Sequence, residues 1–282
     1  MSVDHQTGLD RRSLLLAGAG VATFATAAPR SQHAAAGTKR PPRKVRHTFR
    51  GHFDQFAPDW HYLPFEVTET VTEIQVSYDY ESTNTGAGFS LNVIDIGLFD
   101  GSGHGLGRTA GFRGWSGGAR KSFRVNRRYA TPGYLAGPLT PGTWHVILGP
   151  VGIVPPGVDW KVTITLVHGK PAKRRRPKPP PRRVKGAGAG WYRGDLHLHT
   201  VHSDGKRSPK LMAQHVREAG LDFMVSTDHN TTSSHSRWRK PAGKDLLVIL
   251  GEEITTRGGH WIAAGLPAGP GSTGAIGPRT VS

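Results

Sequence analysis

Trp191-Tyr192-Arg193-Gly194-Asp195-Leu196-His197-Leu198-His199-Thr200 is the stretch on which the reading of this chain turns. Polar and apolar residues alternate along it with the period of a β-strand, so Asp195, His197 and His199 share one face. Two imidazoles two positions apart can hold one metal ion or two adjacent ones. Asp195 stands where a carboxylate can orient an imidazole through its other ring nitrogen. His-x-His on a strand is weak on its own, and the residues that follow strengthen it. Ser203-Asp204-Gly205 reads as a turn that sets a carboxylate just past the strand end. Ser208-Pro209 then opens a helix, with Ser208 as N-cap and Pro209 in the first turn. Leu211, Met212, His215, Val216 and Ala219 form its inward stripe, which makes His215 a packed residue and not a ligand, and Gly220 ends it.

Further strands are expected over Leu221–Thr227, Asp245–Ile254 and from His260 to Leu266. The first delivers Asp228-His229-Asn230 at its carboxyl end and the second Glu252-Glu253. This alternation predicts a parallel sheet with ligands gathered at the carboxyl ends of its strands. His260 departs from the rule by standing at a strand start. His197, His199, Asp204, His229, Glu253 and His260 together make a mixed imidazole and carboxylate set. Such a set suits Mn, Fe or Zn better than Mg or Ca, which prefer oxygen shells.

Asp-Leu-His-Leu-His-Thr, Ser-Asp-Gly, Thr-Asp-His-Asn and Gly-Glu-Glu-Ile-Thr with a downstream His resemble, in that order, the PHP (polymerase and histidinol phosphatase) superfamily. Gly-Trp-Tyr-Arg-Gly-Asp-Leu-His-x-His-Thr behind a secreted β-domain is similar to the CehA/McbA-type metallohydrolases. The resemblance implies a distorted (β/α)7 barrel holding two or three divalent metal ions. It implies hydrolysis of phosphoesters, including nucleotides and nucleic-acid ends, or of carbamate and carboxyl esters. It makes His197 and His199 first-motif ligands, Asp204 the carboxylate of the turn, His229 the second-motif ligand, Glu253 the bridge and His260 the third-motif ligand. Glu252 competes for the bridge; the family pattern Gly-x-Glu favours Glu253, and strand alternation lets only one of the pair face inward. The candidate catalytic residues are Asp195 and Arg257, the latter in a loop where it can clamp a phosphate. His202 and His235 are either proton shuttles or, more simply, surface residues. The late Asp-x-His motif of the family does not follow His260, and Trp191–Ser282 is 92 residues where such a barrel takes about 200–250. The expectation is therefore an α/β barrel truncated to its N-terminal half.

Upstream, residues 47–169 show short apolar runs between Gly and Pro: 60–67, 71–80, 89–99, 121–125, 143–148 and 159–167. About seven strands in this length suit an antiparallel β-sandwich that covers or presents the C-terminal segment. His52, His61, His104 and His145 lack ligand spacing. Trp60, Tyr62, Trp115 and Trp144 are core residues or, alternatively, a carbohydrate platform.

The formal net charge of +17 is concentrated in two places. Residues 30–50 hold seven basic residues and 170–185 nine, with no acid in either stretch, so the charge belongs to linkers. The second, rich in Pro and Arg, is a stiff spacer able to touch an anionic surface polymer. Arg11-Arg12 ahead of a modest Gly/Ala-rich apolar run and Ala25-Thr26-Ala27 resemble a twin-arginine export signal. The expected organisation is signal 1–27, basic linker 28–46, β-sandwich 47–169, linker 170–190 and metallohydrolase segment 191–282. With no Cys in the chain, thiolate metal sites and cysteine nucleophiles are excluded. No apolar run is long enough for a membrane span. The primary expectation is an exported metal-dependent hydrolase with a small-molecule or nucleotide ester as substrate. The alternatives are a non-catalytic extracellular metal- or polyanion-binding protein, and a nucleic-acid phosphoesterase or exonuclease.

Overall fold

The computed structural model describes residues 42–82, 92–104, 110–173, 178–256 and 258–267. The segment expected to be an export signal, most of the expected first linker and Arg257 lie outside them. From Pro41 onward the chain forms one compact unit.

Eight strands build the first part: β1 (Lys44–Phe53), β2 (His61–Val67), β3 (Val71–Tyr80), β4 (Val93–Phe99), β5 (Phe112–Gly117), β6 (Ser122–Asn126), β7 (Gly142–Gly152) and β8 (Val158–His168). They pair antiparallel in two four-stranded sheets, β1-β8-β3-β6 and β2-β7-β4-β5. Alternation puts Ile74, Val76 and Tyr78 of one sheet and Ile94, Ile96, Trp144 and Val146 of the other into a single shared core. Burying each such side chain contributes roughly 1.5–3 kcal/mol, so this core is the main stabilising mass of the fold. Trp144 is fully buried and its indole N–H donates to the Thr140 carbonyl at 2.9 Å. Trp115 instead joins Phe99, Phe112 and Ile147 in a second cluster, with Trp60 and Tyr62 packed against it.

Two strands were not legible. β5 is interrupted by two glycines, Gly114 and Gly117, which obscure its alternation, and β1 begins inside the expected basic linker. Lys44, Arg46 and Arg50 occupy the exposed positions of β1 while Val45 and Phe49 face the core. β1 is an edge strand, where exposed cations discourage pairing with a further strand.

The C-terminal part is a four-stranded sheet in the order β12-β11-β10-β9, from β9 (Gly194–Leu198), β10 (Phe223–Ser226), β11 (Leu247–Thr256) and β12 (Gly259–Ala264). β9, β10 and β11 run parallel, and β12 returns antiparallel to β11. Helix α1 (Pro209–Glu218) links β9 to β10, and a 3-10 turn (His235–Arg237) with the short α2 (Arg239–Ala242) links β10 to β11. Ser208 caps α1, its Oγ accepting from Leu211 N. Ala213 and Val216 of α1, Trp238 and Ala242 pack on Met224, Val248 and Leu250 of the sheet.

The expected (β/α)7 barrel is not what the fold contains. It is 46% strand and 8% helix, whereas a barrel of βα units needs a helix for every strand. The parallel order of β9 to β11 follows from the crossovers through α1 and through the 3-10 turn with α2, but the two-residue return into β12 leaves no room for a helix and forces a hairpin. The inward stripe of α1 is also narrower than its pattern suggested. Leu211 is 40% exposed, and His215 is half-exposed and paired with Glu218 at 3.1 Å.

Candidate metal centre

The sheet brings six side chains from five places along the chain to one end. His197 and His199 come from the end of β9, Asp204 from the turn after it, His229 from just past β10, Glu253 from β11 and His260 from the start of β12. They form three overlapping groups able to hold a metal ion: His197, His199 and Glu253; His199, Asp204 and His229; His229, Glu253 and His260. Within each group the ligand atoms lie within 4.8 Å of one another. Because β12 runs antiparallel to β11, its start lies beside the carboxyl ends of the parallel strands, with His260 opposite Thr255. That is how a residue at a strand start reaches the site.

Glu253 is the hub. Its Oε2 lies 3.0 Å from His197 Nε2, 3.1 Å from His199 Nε2 and 3.1 Å from His229 Nδ1, and its Oε1 lies 3.0 Å from His260 Nδ1. Asp204 stands 3.5 Å from His199 Nδ1 and 3.7 Å from His229 Nε2. The choice between neighbouring glutamates is decided by the strand. Val248 and Leu250 face the helices, so Glu252 shares their side and Glu253 takes the other. Side-chain exposure is 5% for Glu253 but 51% for His197, 47% for His260 and 63% for Asp204. The centre thus has a buried anionic floor and a rim open to solvent.

Burial pushes the Glu253 carboxyl up, but the hydrogen bond from His197, the charge of His229 and the hydrogen bond from His260 outweigh it and hold the group below the usual carboxylate range. Burial pushes His229 below the ordinary imidazole value, with His199 and His260 adding to the effect and Glu253 and Asp204 opposing it. Both shifts favour the metal-binding forms, an ionised carboxylate and a neutral imidazole. His197 Nε2 and His199 Nε2 are 2.8 Å apart. Two nitrogen lone pairs at that separation repel unless a proton or cation lies between them. Three groups of imidazole and carboxylate ligand atoms, those of each group within 4.8 Å of one another, fit a divalent ion.

Asp195 does not orient an imidazole. Its Oδ1 accepts from the backbone N–H of His197 at 2.9 Å, a local turn-type bond. The orienting carboxylate of the site is Asp228, fully buried, which accepts from Thr200 N at 2.7 Å, Thr200 Oγ1 at 2.9 Å and Ser203 Oγ at 3.0 Å. It ties the turn carrying Asp204 to the end of β10. Asn230, at φ 48°, donates from Nδ2 to Thr255 O and accepts from Thr255 N, both at 3.0 Å. Thr255 Oγ1 in turn holds His229 Nδ1 at 2.5 Å. Their only signal in the sequence is that they flank His229 at a strand end. Gly205 permits the turn to close, since a Cβ there would sit 2.5 Å from the His199 carbonyl carbon.

His202 and His235 are both 6% exposed, which overturns their reading as surface residues. His202 Nδ1 pairs with Ser233 Oγ at 2.7 Å and His235 Nε2 donates to Gly251 O at 2.8 Å. Burial drives His202 down to about 4 and lowers His235 as well. Both are structural residues under the site.

No protein-family model matches this chain, and no curated protein does. The site stands on its own geometry.

Proposed function

We propose that this protein is an exported metal-dependent hydrolase of the PHP type that cleaves phosphoester bonds, or carboxyl and carbamate esters, with a metal-activated water. The observation that carries this is the convergence of four imidazoles, from the termini of three strands, on a single buried carboxylate, Glu253. The order of the motifs around His197, His229 and Glu253 supports the family likeness. It does so for the chemistry and not for a barrel.

His197, His199, Asp204, His229, Glu253 and His260 would hold two or three ions, with Mn, Fe or Zn favoured by the mixed donor set. Ions so held act as Lewis acids and lower the pKa of bound water toward neutrality. The chain's own contribution is positional. Glu253 spans the ligand groups with its two oxygens, Asp228 fixes the turn that carries Asp204, and Asn230 with Thr255 sets the ring of His229. The open rim at His197, Asp204 and His260 suits a substrate whose scissile group reaches the ions from solvent.

The twin-arginine-like start supports export, a route that would let the metal be loaded before translocation. The basic run 170–185 supports contact with an anionic surface polymer. Among the described residues no helix is long and apolar enough to cross a membrane.

The test is elemental analysis of the purified mature protein beside a His197→Ala/His199→Ala variant, with turnover of bis-p-nitrophenyl phosphate and p-nitrophenyl acetate measured before and after EDTA. One or more equivalents of Mn, Fe or Zn, lost in the variant, with EDTA-sensitive turnover that returns on adding metal, is the expected result. Turnover unchanged by EDTA would overturn the mechanism, and an ion-free protein would overturn the centre.

A further inference from the structure

The two loops that carry ligands do not stand alone. The segment between His199 and Asp204 passes through Val201 and His202, and the segment after His229 through Thr231 and Ser233. Both press against the β-sandwich, at a place remote in sequence. Arg120, in the β5–β6 connection, donates from its guanidinium to the Val201 carbonyl. Gly133, in the loop from β6 to β7, donates its N–H to Ser233 Oγ at 3.0 Å and accepts from Thr231 Oγ1 at 2.9 Å. Ser233 Oγ also pairs with His202 Nδ1, so one buried hydroxyl joins the sandwich to both loops at once.

The sandwich side of this junction is tied down by its own hydrogen bonds. Arg113, 7% exposed, donates to the carbonyls of Leu135 and Pro138 and fixes the loop just after Gly133. Trp115 N donates to Gly133 O, and Ser116 Oγ pairs with Tyr134 OH. Gly133 has φ 97°, and a Cβ there would lie 2.8 Å from Trp115 O and 3.2 Å from His202 O. A side chain would push the two layers apart; glycine alone lets the sandwich backbone approach the ligand loop this closely.

We propose that the β-sandwich is a positioning element of the metal centre, in which Arg120 and Gly133 lock the loops that hold His199, Asp204 and His229. This rests on the metal-centre reading above. None of these residues offers a ligand atom to the three groups. They act one step further out, by restricting where the ligand-bearing backbone can lie. Asp204 itself is 63% exposed, so its place depends on the backbone of the turn that carries it. Ligands held by an ordered surround bind more tightly because less freedom is lost on coordination.

The experiment is a Co2+ titration of the full-length metal-free protein, followed by visible absorption. It compares the wild type with Arg120→Met, Arg120→Lys and Thr231→Val/Ser233→Ala. Ile164→Val, a core change in β8 away from the junction, is the stability control, and thermal unfolding of every metal-free variant is recorded. Loss of such outer partners weakens metal binding about 10- to 100-fold. The expected result is a loss of about tenfold in Arg120→Met and in the double variant, with an altered cobalt spectrum, and recovery of most affinity in Arg120→Lys. Folded variants with wild-type affinity and spectrum would overturn the inference while leaving the metal centre standing. Ile164→Val matching their loss of affinity would overturn it too, by showing a general stability effect. A wild type that binds no cobalt would overturn the metal centre itself and this inference with it.

Discussion

Replacing Glu253 with Gln keeps the shape of the hub and removes its charge. Four imidazole nitrogens lie within 3.1 Å of the two carboxylate oxygens, and Glu253 belongs to two of the three ligand groups. Loss of an outer partner already costs up to about a hundredfold in metal affinity, so loss of the shared ligand should cost at least that. Metal binding stabilises a fold through mass action, by about 2.7 kcal/mol when the ion stands at a hundred times its dissociation constant. For a unit of this size that is a rise in Tm of roughly 5–11 °C. A hundredfold weaker site at the same ion concentration keeps only RT ln 2, about 0.4 kcal/mol and a rise of about 1–2 °C. The assay is differential scanning calorimetry of wild type and Glu253→Gln, each metal-free and with Zn2+ or Mn2+ at one fixed concentration. The wild-type rise should nearly vanish in the variant. A variant that keeps the full rise would refute the reasoning, because the ions would then be held without the residue on which the side chains converge.

Asp228→Asn should cost about 2–4 kcal/mol, since a buried carboxylate with three donors loses charge-assisted bonds and the new amide turns donors toward Thr200 and Ser203; urea unfolding of the metal-free protein checks it. Asn230→Ala should cost about 1–3 kcal/mol by removing two bonds to Thr255 and placing Ala at φ 48°. Asn230→Gly should recover the backbone part of that loss but not the bonds, so its unfolding midpoint should fall between the two. Acid should weaken the fold through His235. Burial holds its value below 6.5, only partly offset by Gly251 O and Asp228, so the folded state prefers the neutral ring. Its contribution is complete above the unfolded value of 6.5 and is lost as pH falls below it toward the lowered folded value. His235→Gln, which can still donate to Gly251 O, should show a flatter stability profile between pH 7 and 5.

Much of the local structure was legible because it is carried by neighbours along the chain. β3 runs from Val71 to Tyr80 as its alternation predicted, and β8 differs from its expected span by one residue at each end. Ser208 caps α1 because a hydroxyl before Pro is suited to that position whatever packs around it. Alternation showed that only one of Glu252 and Glu253 can face the site, and the Gly-x-Glu pattern of the resemblance, not periodicity, favoured Glu253; the strand-end positions of His197, His199 and His229 were legible from the strand pattern. Arg257 lies outside the described residues.

The tertiary structure decided what periodicity cannot. The direction of β12 is set by the tight return after Thr256, and it is this direction that brings His260 to Glu253. The expected barrel came from the resemblance and not from any periodicity in the chain, and the described residues of the C-terminal part form an open, strand-rich sheet in which α1 is the one helix longer than four residues. His202 and His235 look like surface histidines in the sequence and are buried, His202 because the sandwich, through Gly133 and Arg120, closes over the loop that carries it. Asp228 and Asn230 gain their importance from Thr200 and Thr255, each at least 25 residues away in the chain. A strand's period depends on residues two apart, so a sequence shows it directly. Which faces meet depends on surfaces contributed from a hundred residues away, and only the folded chain determines that.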